Sequence, residues 1–174
     1  QTEYKVNGWG FLAALRVDNH DYYGTNLLPK AAITKKVGSG NFRLTYGKGM
    51  AVPSLLNLEG YLFGGLVLGN GVGFTLSDGS VINPLDVETI NSFEVGYKGD
   101  IAKKFYIDAN AYYNMSENFI SPLTQIATNG RTVVKRGDAA LSTIAGSNPA
   151  YVLTYSNFGK VDTYGVDLGF SYYF

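Results

Sequence analysis

Few groups in this chain could do chemistry, and their spacing argues against most kinds. His20 is the only histidine and there is no cysteine. Disulfides and thiolate sites are therefore excluded, and a transition metal would find no second soft ligand. Asp18-Asn19-His20 reads as a strand end, and no Ser-containing elbow accompanies it. Ser, His and acidic residues form no nucleophile–base constellation, and Glu94 and Asp108 could exchange protons only if a reaction were housed between them. Gly69-Asn70-Gly71-Val72-Gly73 has the composition of a phosphate-cradling loop, but no helix follows it. Phe74–Ile82 reads instead as a hairpin turning at Asp78-Gly79. Asn114-Met115-Ser116 matches a glycosylation sequon, yet it falls inside a strand pattern. The reading is no catalytic group, no metal ligands, no cofactor and no enzyme. A net charge of +0 without a basic stripe also gives a nucleic-acid partner little support.

What remains is contact chemistry. Tyr22 and Tyr23 sit at a strand tip, where they could stack on a ligand or cap a ring of aromatics. Leu55–Leu76 is apolar for a loop, with Tyr61, Leu62, Phe63, Leu66, Val67 and Leu68 set among glycines. Such a loop could meet ligand through Tyr61 and Phe63, bind a surface partner such as a lipoprotein, or pack on neighbouring loops.

The elements that position these residues show period two. In Trp9–Asp18 the odd positions are Trp9, Phe11, Ala13, Leu15 and Val17, while Arg16 and Asp18 are even. Leu27–Lys35 sets Ala31 and Ile33 against Lys30 and Thr34. Asn41–Lys48 sets Phe42, Leu44 and Tyr46 against Arg43 and Thr45. Ser92–Lys98 opposes Phe93, Val95 and Tyr97 to Glu94 and Lys98. Phe105–Ser116 places Phe105, Ile107, Ala109 and Ala111 opposite Tyr106, Asp108 and Asn110. From Thr163 onward, Tyr164, Val166, Leu168, Phe170, Tyr172 and Phe174 oppose Asp167 and Ser171. Alternation over such runs predicts about six strands. The 14 Tyr, 10 Phe and 22 Gly suit strands and their turns.

Short turns at Lys36–Gly40 and Gly99–Lys104 alternate with long loops at Gly49–Glu88 and Pro122–Pro149, the His20–Asn26 link being intermediate. Antiparallel pairing then collects the short turns at one end, where Lys35, Lys36, Lys103 and Lys104 read as solvated charge. Outer-membrane barrels have this asymmetry. Trp9, Phe11, Phe42, Tyr97, Phe105, Tyr172 and Phe174 fall near the short-turn end of the apolar face. Tyr46, Tyr113 and Tyr164 fall toward the other end, and small or aliphatic residues lie between. Two aromatic girdles around an aliphatic band describe a lipid-facing surface. Mean hydropathy is −0.02, too low for a helical membrane bundle but compatible with strands that are polar on one face.

Four stretches carry a family resemblance. Leu15-Arg16-Val17-Asp18-Asn19-His20 with Gly24 and Pro29-Lys30-Ala31 is the first, and Arg43–Gly49 followed by Val52-Pro53-Ser54-Leu55 the second. Asn83-Pro84-Leu85 with Glu88–Gly99 is the most telling, and Asn157–Val161 with Gly165-Val166-Asp167-Leu168 completes the set. In this order and spacing the chain resembles the β-barrel of TonB-dependent outer-membrane receptors, in its C-terminal half. It departs at Asp86-Val87, where the family has a Lys-Pro pair.

The resemblance implies an all-β, antiparallel transmembrane barrel fragment, residues 1–174 being part of a barrel of about 22 strands around a plug. The plug domain and the segment contacting TonB would lie elsewhere in the protein, in keeping with the abrupt start at Gln1 and a strand ending at Phe174. The whole protein would be a multi-pass protein of a Gram-negative outer membrane, importing a scarce large nutrient of the siderophore, cobalamin or glycan class. Its partners would be outer-membrane lipid, its own plug and the TonB complex. Arg16, Lys30, Arg43, Glu94, Lys98, Asp108 and Asp167 would line the lumen. Trp9, Phe11, Phe42, Phe93, Val95, Tyr97, Phe105, Ile107, Leu168 and Phe170 would face lipid. A small complete outer-membrane barrel, acting as adhesin or anchor, is the alternative that the length allows, and a secreted soluble β-protein is a third.

Overall fold

A computed structural model describes residues 1–101 and 104–173. Lys103 and Phe174, both named above, lie outside the described residues. The chain divides into two compact units.

The first unit comprises Gln1–Met50, Thr89–Ser116 and the chain from Val161 onward. It is one sheet of seven strands, β1 (Thr2–Val6), β2 (Trp9–His20), β3 (Gly24–Val37), β4 (Gly40–Ala51), β5 (Glu88–Ile101), β6 (Phe105–Ile120) and β7 (Asn157–Tyr172), hydrogen-bonded in that order. The strands are thus one more than the alternation predicts. β1 escapes notice because it is short, with Glu3 and Lys5 leaving only Tyr4 and Val6 as an apolar signal. Among the described residues the order is open, with β1 and β7 as edges, which does not favour the small complete barrel of the alternative reading.

Register shows why the alternation works. β1 to β4 pair antiparallel. Trp9 stands opposite Lys35 and Lys35 opposite Phe42; Phe11, Ile33 and Leu44 form the next row, and Ala13, Ala31 and Tyr46 the one after. Directly opposed residues share a face, so the apolar sets of three strands line up. The polar set lines up behind them, Thr34 with Arg43 and Lys30 with Gly47. Pro29 sits one residue past the last β3–β4 pair, so its missing N–H costs that ladder nothing.

The turns are tighter than the sequence suggests. β2 and β3 are joined by Asp21–Tyr23 alone, because pairing runs on to His20 opposite Gly24. The intermediate His20–Asn26 link is therefore a three-residue turn. Asn7-Gly8 turns β1 into β2 with both residues at positive φ, the geometry favoured in two-residue hairpins.

The second unit, Ala51–Glu88 with Glu117–Lys160, gathers the two long connections. They are not irregular loops, for they build two small sheets from strands of both. In one, Leu153–Thr154 lies between Thr124–Gln125 and Val67–Leu68, the last paired to Tyr61–Leu62. In the other, Val133–Arg136 lies between Ala139–Ala140 and Phe74–Leu76, with Val81–Ile82 at the edge. Leu68, Phe74, Leu76, Ile126, Val133, Leu141 and Val152 form a buried core, each side chain gaining roughly 1.5–3 kcal/mol from leaving water. Leu68, Phe74 and Leu76 of the apolar stretch thus pack on the second connection of the same chain, while Leu55, Leu56, Tyr61 and Phe63 stay exposed. The hairpin at Asp78-Gly79 is present, Phe74 pairing with Ile82. The Ser80 hydroxyl and backbone N–H both donate to the Asp78 carboxylate and hold its pKa below the ordinary carboxylate value.

The glycine run owes its composition to packing. Asn70 is fully buried. Its amide donates to the carbonyls of Asn83 and Tyr155, both at 2.9 Å, and its Oδ1 accepts from the Gly73 N–H at 3.1 Å. Gly69 lies against the end of a one-turn helix, Leu55–Glu59, so closely that a Cβ would meet the Leu58 backbone at 2.5 Å. Arg136 fixes the same corner by donating to the carbonyls of Gly69 and Leu58. Glycine here answers a need for close backbone approach.

Candidate functional site

The polar face of the seven-stranded sheet carries one connected patch across β4, β5 and β6. The Arg43 guanidinium lies 3.4 Å from both the Glu94 carboxylate and the Asn110 amide oxygen. The Thr45 hydroxyl donates to the same Glu94 oxygen. Lys98 pairs with Asp108 at 3.7 Å, and Asn110 donates to Asp108. Gly96 makes the cluster possible, since a Cβ there would collide with the Asn110 amide. A shallow cavity of about 190 Å³ results, walled by Asn41, Arg43, Lys98, Asp108 and Asn110. These side chains are roughly half exposed, so each pair contributes at most about 1 kcal/mol to stability. Both charge signs remain available to an incoming polar surface.

The other predicted polar residues stand apart. Arg16 pairs with Asp18 on its own strand at 2.7 Å. Lys30, opposite Ala14 and Gly47, and Asp167 form no ion pair among the described residues. On β7 Gly165 leaves room for the Tyr112 ring and Gly169 faces Asp108.

The apolar face is open to its surroundings. Trp9, Phe11, Phe42, Phe93 and Val95 are each about 40% exposed, and Leu168 and Phe170 reach 78% and 66%. Phe105, at 36%, packs on Phe170 and Tyr172 with ring centroids 5.5 and 5.0 Å apart. Trp9 stacks on Phe11, and Phe93 packs at a tilt against Tyr46, whose hydroxyl donates to Asn91. Tyr97 lies over Gly40. Ile107 is half-buried. Among the described residues, no buried hydrophobic residue except Leu28 belongs to this sheet, so this face covers no core.

Of the ligand-contact candidates, Tyr22 and Tyr23 join His20 in an aromatic cluster, His20 stacking on Tyr23 with centroids 5.0 Å apart. The His20 Nδ1 accepts from the Tyr22 N–H, which ties the turn. Burial, with Tyr22 beside it, raises the Tyr23 hydroxyl above its ordinary pKa and keeps it neutral. In the second unit Phe63 is 78% exposed and held at φ 51°, a left-handed conformation that is unusual for a bulky residue. Beside it Tyr61 is half exposed and donates to the Ala145 carbonyl at 2.7 Å. The alternation gives no hint of this strain, which arises where Phe63-Gly64-Gly65 turns between two short strands.

A sheet polar on one side and apolar, ring-edged and coreless on the other is the wall of a transmembrane β-barrel. The match to the family model of the TonB dependent receptor-like β-barrel spans residues 1–174, and the chain belongs to that family. Among solved structures it is similar to the siderophore receptor PirA from Acinetobacter baumannii, with 20% identity, a TM-score of 0.66, and coverage of 95% of this chain and 23% of that one. The siderophore receptor PirA from Pseudomonas aeruginosa gives 17%, 0.62, 94% and 25%. The FrpB iron transporter from Neisseria meningitidis gives 12%, 0.61, 99% and 22%. These likenesses show the fold, and the chain spans about a quarter of each relative's length. No curated protein matches it in sequence.

Proposed function

We propose that this chain is wall and external loop structure of an outer-membrane TonB-dependent active transporter, which imports a scarce large nutrient. The observation that carries the reading is the pairing of family membership with a sheet whose apolar face covers nothing. Lipid is the solvent that makes such a face stable, and water on the other side suits the Arg43–Glu94–Lys98–Asp108 patch.

Under this reading Trp9, Phe11, Phe42, Phe93, Val95, Tyr97, Phe105, Ile107, Leu168 and Phe170 meet lipid. Arg16, Lys30, Arg43, Glu94, Lys98, Asp108 and Asp167 line a hydrated lumen that holds the plug. Tyr22, Tyr23, Tyr61 and Phe63 are the ligand-contact candidates. A ferric siderophore is the favoured cargo, because the similar structures include siderophore receptors and an iron transporter. Cobalamin and glycans are the other classes considered.

The test is uptake by the full-length protein in cells deleted for their own receptors. Radiolabelled ferric siderophores should accumulate only when TonB is intact. Accumulation independent of TonB, or none for any of the three nutrient classes, would overturn the proposal.

A further inference from the structure

The lipid-facing side of β2 to β7 has two features that a generic apolar wall does not need. The first is Lys35. Register puts it on the apolar face between Trp9 and Phe42, and its ammonium lies 4.4 Å over the Trp9 ring. The ammonium also donates to the Asn7 carbonyl at 3.4 Å, a weak contact, and among the described residues no carboxylate pairs with it. Positions 9–17, 27–37 and 40–46 of this face hold no other charge. A lone half-buried cation between two rings, at the edge of an apolar band, marks the headgroup level.

The second feature is a recess of about 230 Å³ that starts at the same Phe42. Val95, Tyr97, Ala109, Ala111 and Val166 complete its apolar lining. The two alanines lie where neighbouring strands carry larger residues, and they leave a groove of methyl and methylene surface. Trp9, Lys35, Phe42 and the two alanines lie on strands flanked by neighbours in the sheet, while Val166 brings the edge strand β7 to one side of the recess.

We propose that this face holds one anionic glycerophospholipid, its phosphate against Lys35 between Trp9 and Phe42 and an acyl chain in the alanine recess. Charge complementarity selects the phosphate, and the continuous lining through Phe42 joins the headgroup position to the chain position. The inference rests on the membrane reading above.

The full-length transporter, purified in octyl glucoside, is titrated with palmitoyl-oleoyl phosphatidylglycerol and the retained lipid is counted by native mass spectrometry. Lys35→Gln should weaken retention roughly fivefold, the effect of about one basic residue near an anionic headgroup, and Lys35→Arg should restore it. Ala111→Leu, which fills the recess, should weaken it as well. Lys36→Gln is the control, because Lys36 pairs with Asn41 on the opposite face at the same end; it should bind as wild type. Diacylglycerol with the same chains should be retained weakly by every variant, and inorganic phosphate should not displace the phospholipid. Equal loss in both lysine variants, or loss in neither, overturns the site. Displacement by inorganic phosphate also overturns it, showing an anion contact without a lipid. A full-length protein that proves water-soluble would instead bring down the membrane reading itself.

Discussion

Asn70 shows what one buried side chain can hold together. It donates to two carbonyls from distant stretches of the chain and accepts from Gly73, all with no exposure to solvent. Asn70→Ala leaves those partners unpaired, at about 1–3 kcal/mol for each buried group. Amide exchange should speed up at Gly73 and Leu85 and proteolysis should increase within 51–88, while β2 to β4 keep their protection; unchanged exchange at Gly73 would refute the assignment. Phe63 presents the opposite case. It is mostly exposed and strained, so it adds little to the core, and Tyr61 beside it spends its hydroxyl on Ala145. Alanine at both positions should leave the unit protease-resistant and cut ligand affinity at least fivefold, as loss of an aromatic anchor does. Undiminished affinity would return both residues to loop packing.

At the scale of elements, close approach decides more than propensity. Gly40 on β4 and Gly99 on β5 face each other so tightly that a Cβ on Gly99 would collide with the Gly40 backbone, and the Tyr97 ring takes the room beside them. Gly99→Ala should therefore destabilise the barrel by about 1–3 kcal/mol through overpacking. A lowered urea midpoint for unfolding from micelles would show it, and Ile101→Ala, an exposed side chain at the same strand end, should change it far less. The long strands were legible in sequence because side chains alternate strictly along them. The turn at Asp21–Tyr23 and the strand Thr2–Val6 were not legible, since where a hairpin closes depends on how far the partner strand keeps pairing.

For the whole molecule, the charged patch on the polar face makes the sharpest demand. Arg43, Glu94, Lys98 and Asp108 offer both signs to whatever fills the lumen. Glu94→Gln with Asp108→Asn removes the acidic half, and a separately expressed plug should bind the emptied barrel several-fold more weakly and with less salt dependence. Unchanged binding would mean that the patch serves the wall alone. Period-two alternation, ring placement and four ordered motifs determined by themselves that this chain is barrel wall, because each is a local property that strand geometry converts directly into two faces. Only the tertiary structure decided that the long connections share a core. Leu68, Phe74, Val133 and Val152 come from connections separated by two strands, and strands of two to four residues leave too little period to read. It alone also placed Lys35 between Trp9 and Phe42, because register between strands sets such neighbours and no single strand's sequence contains it.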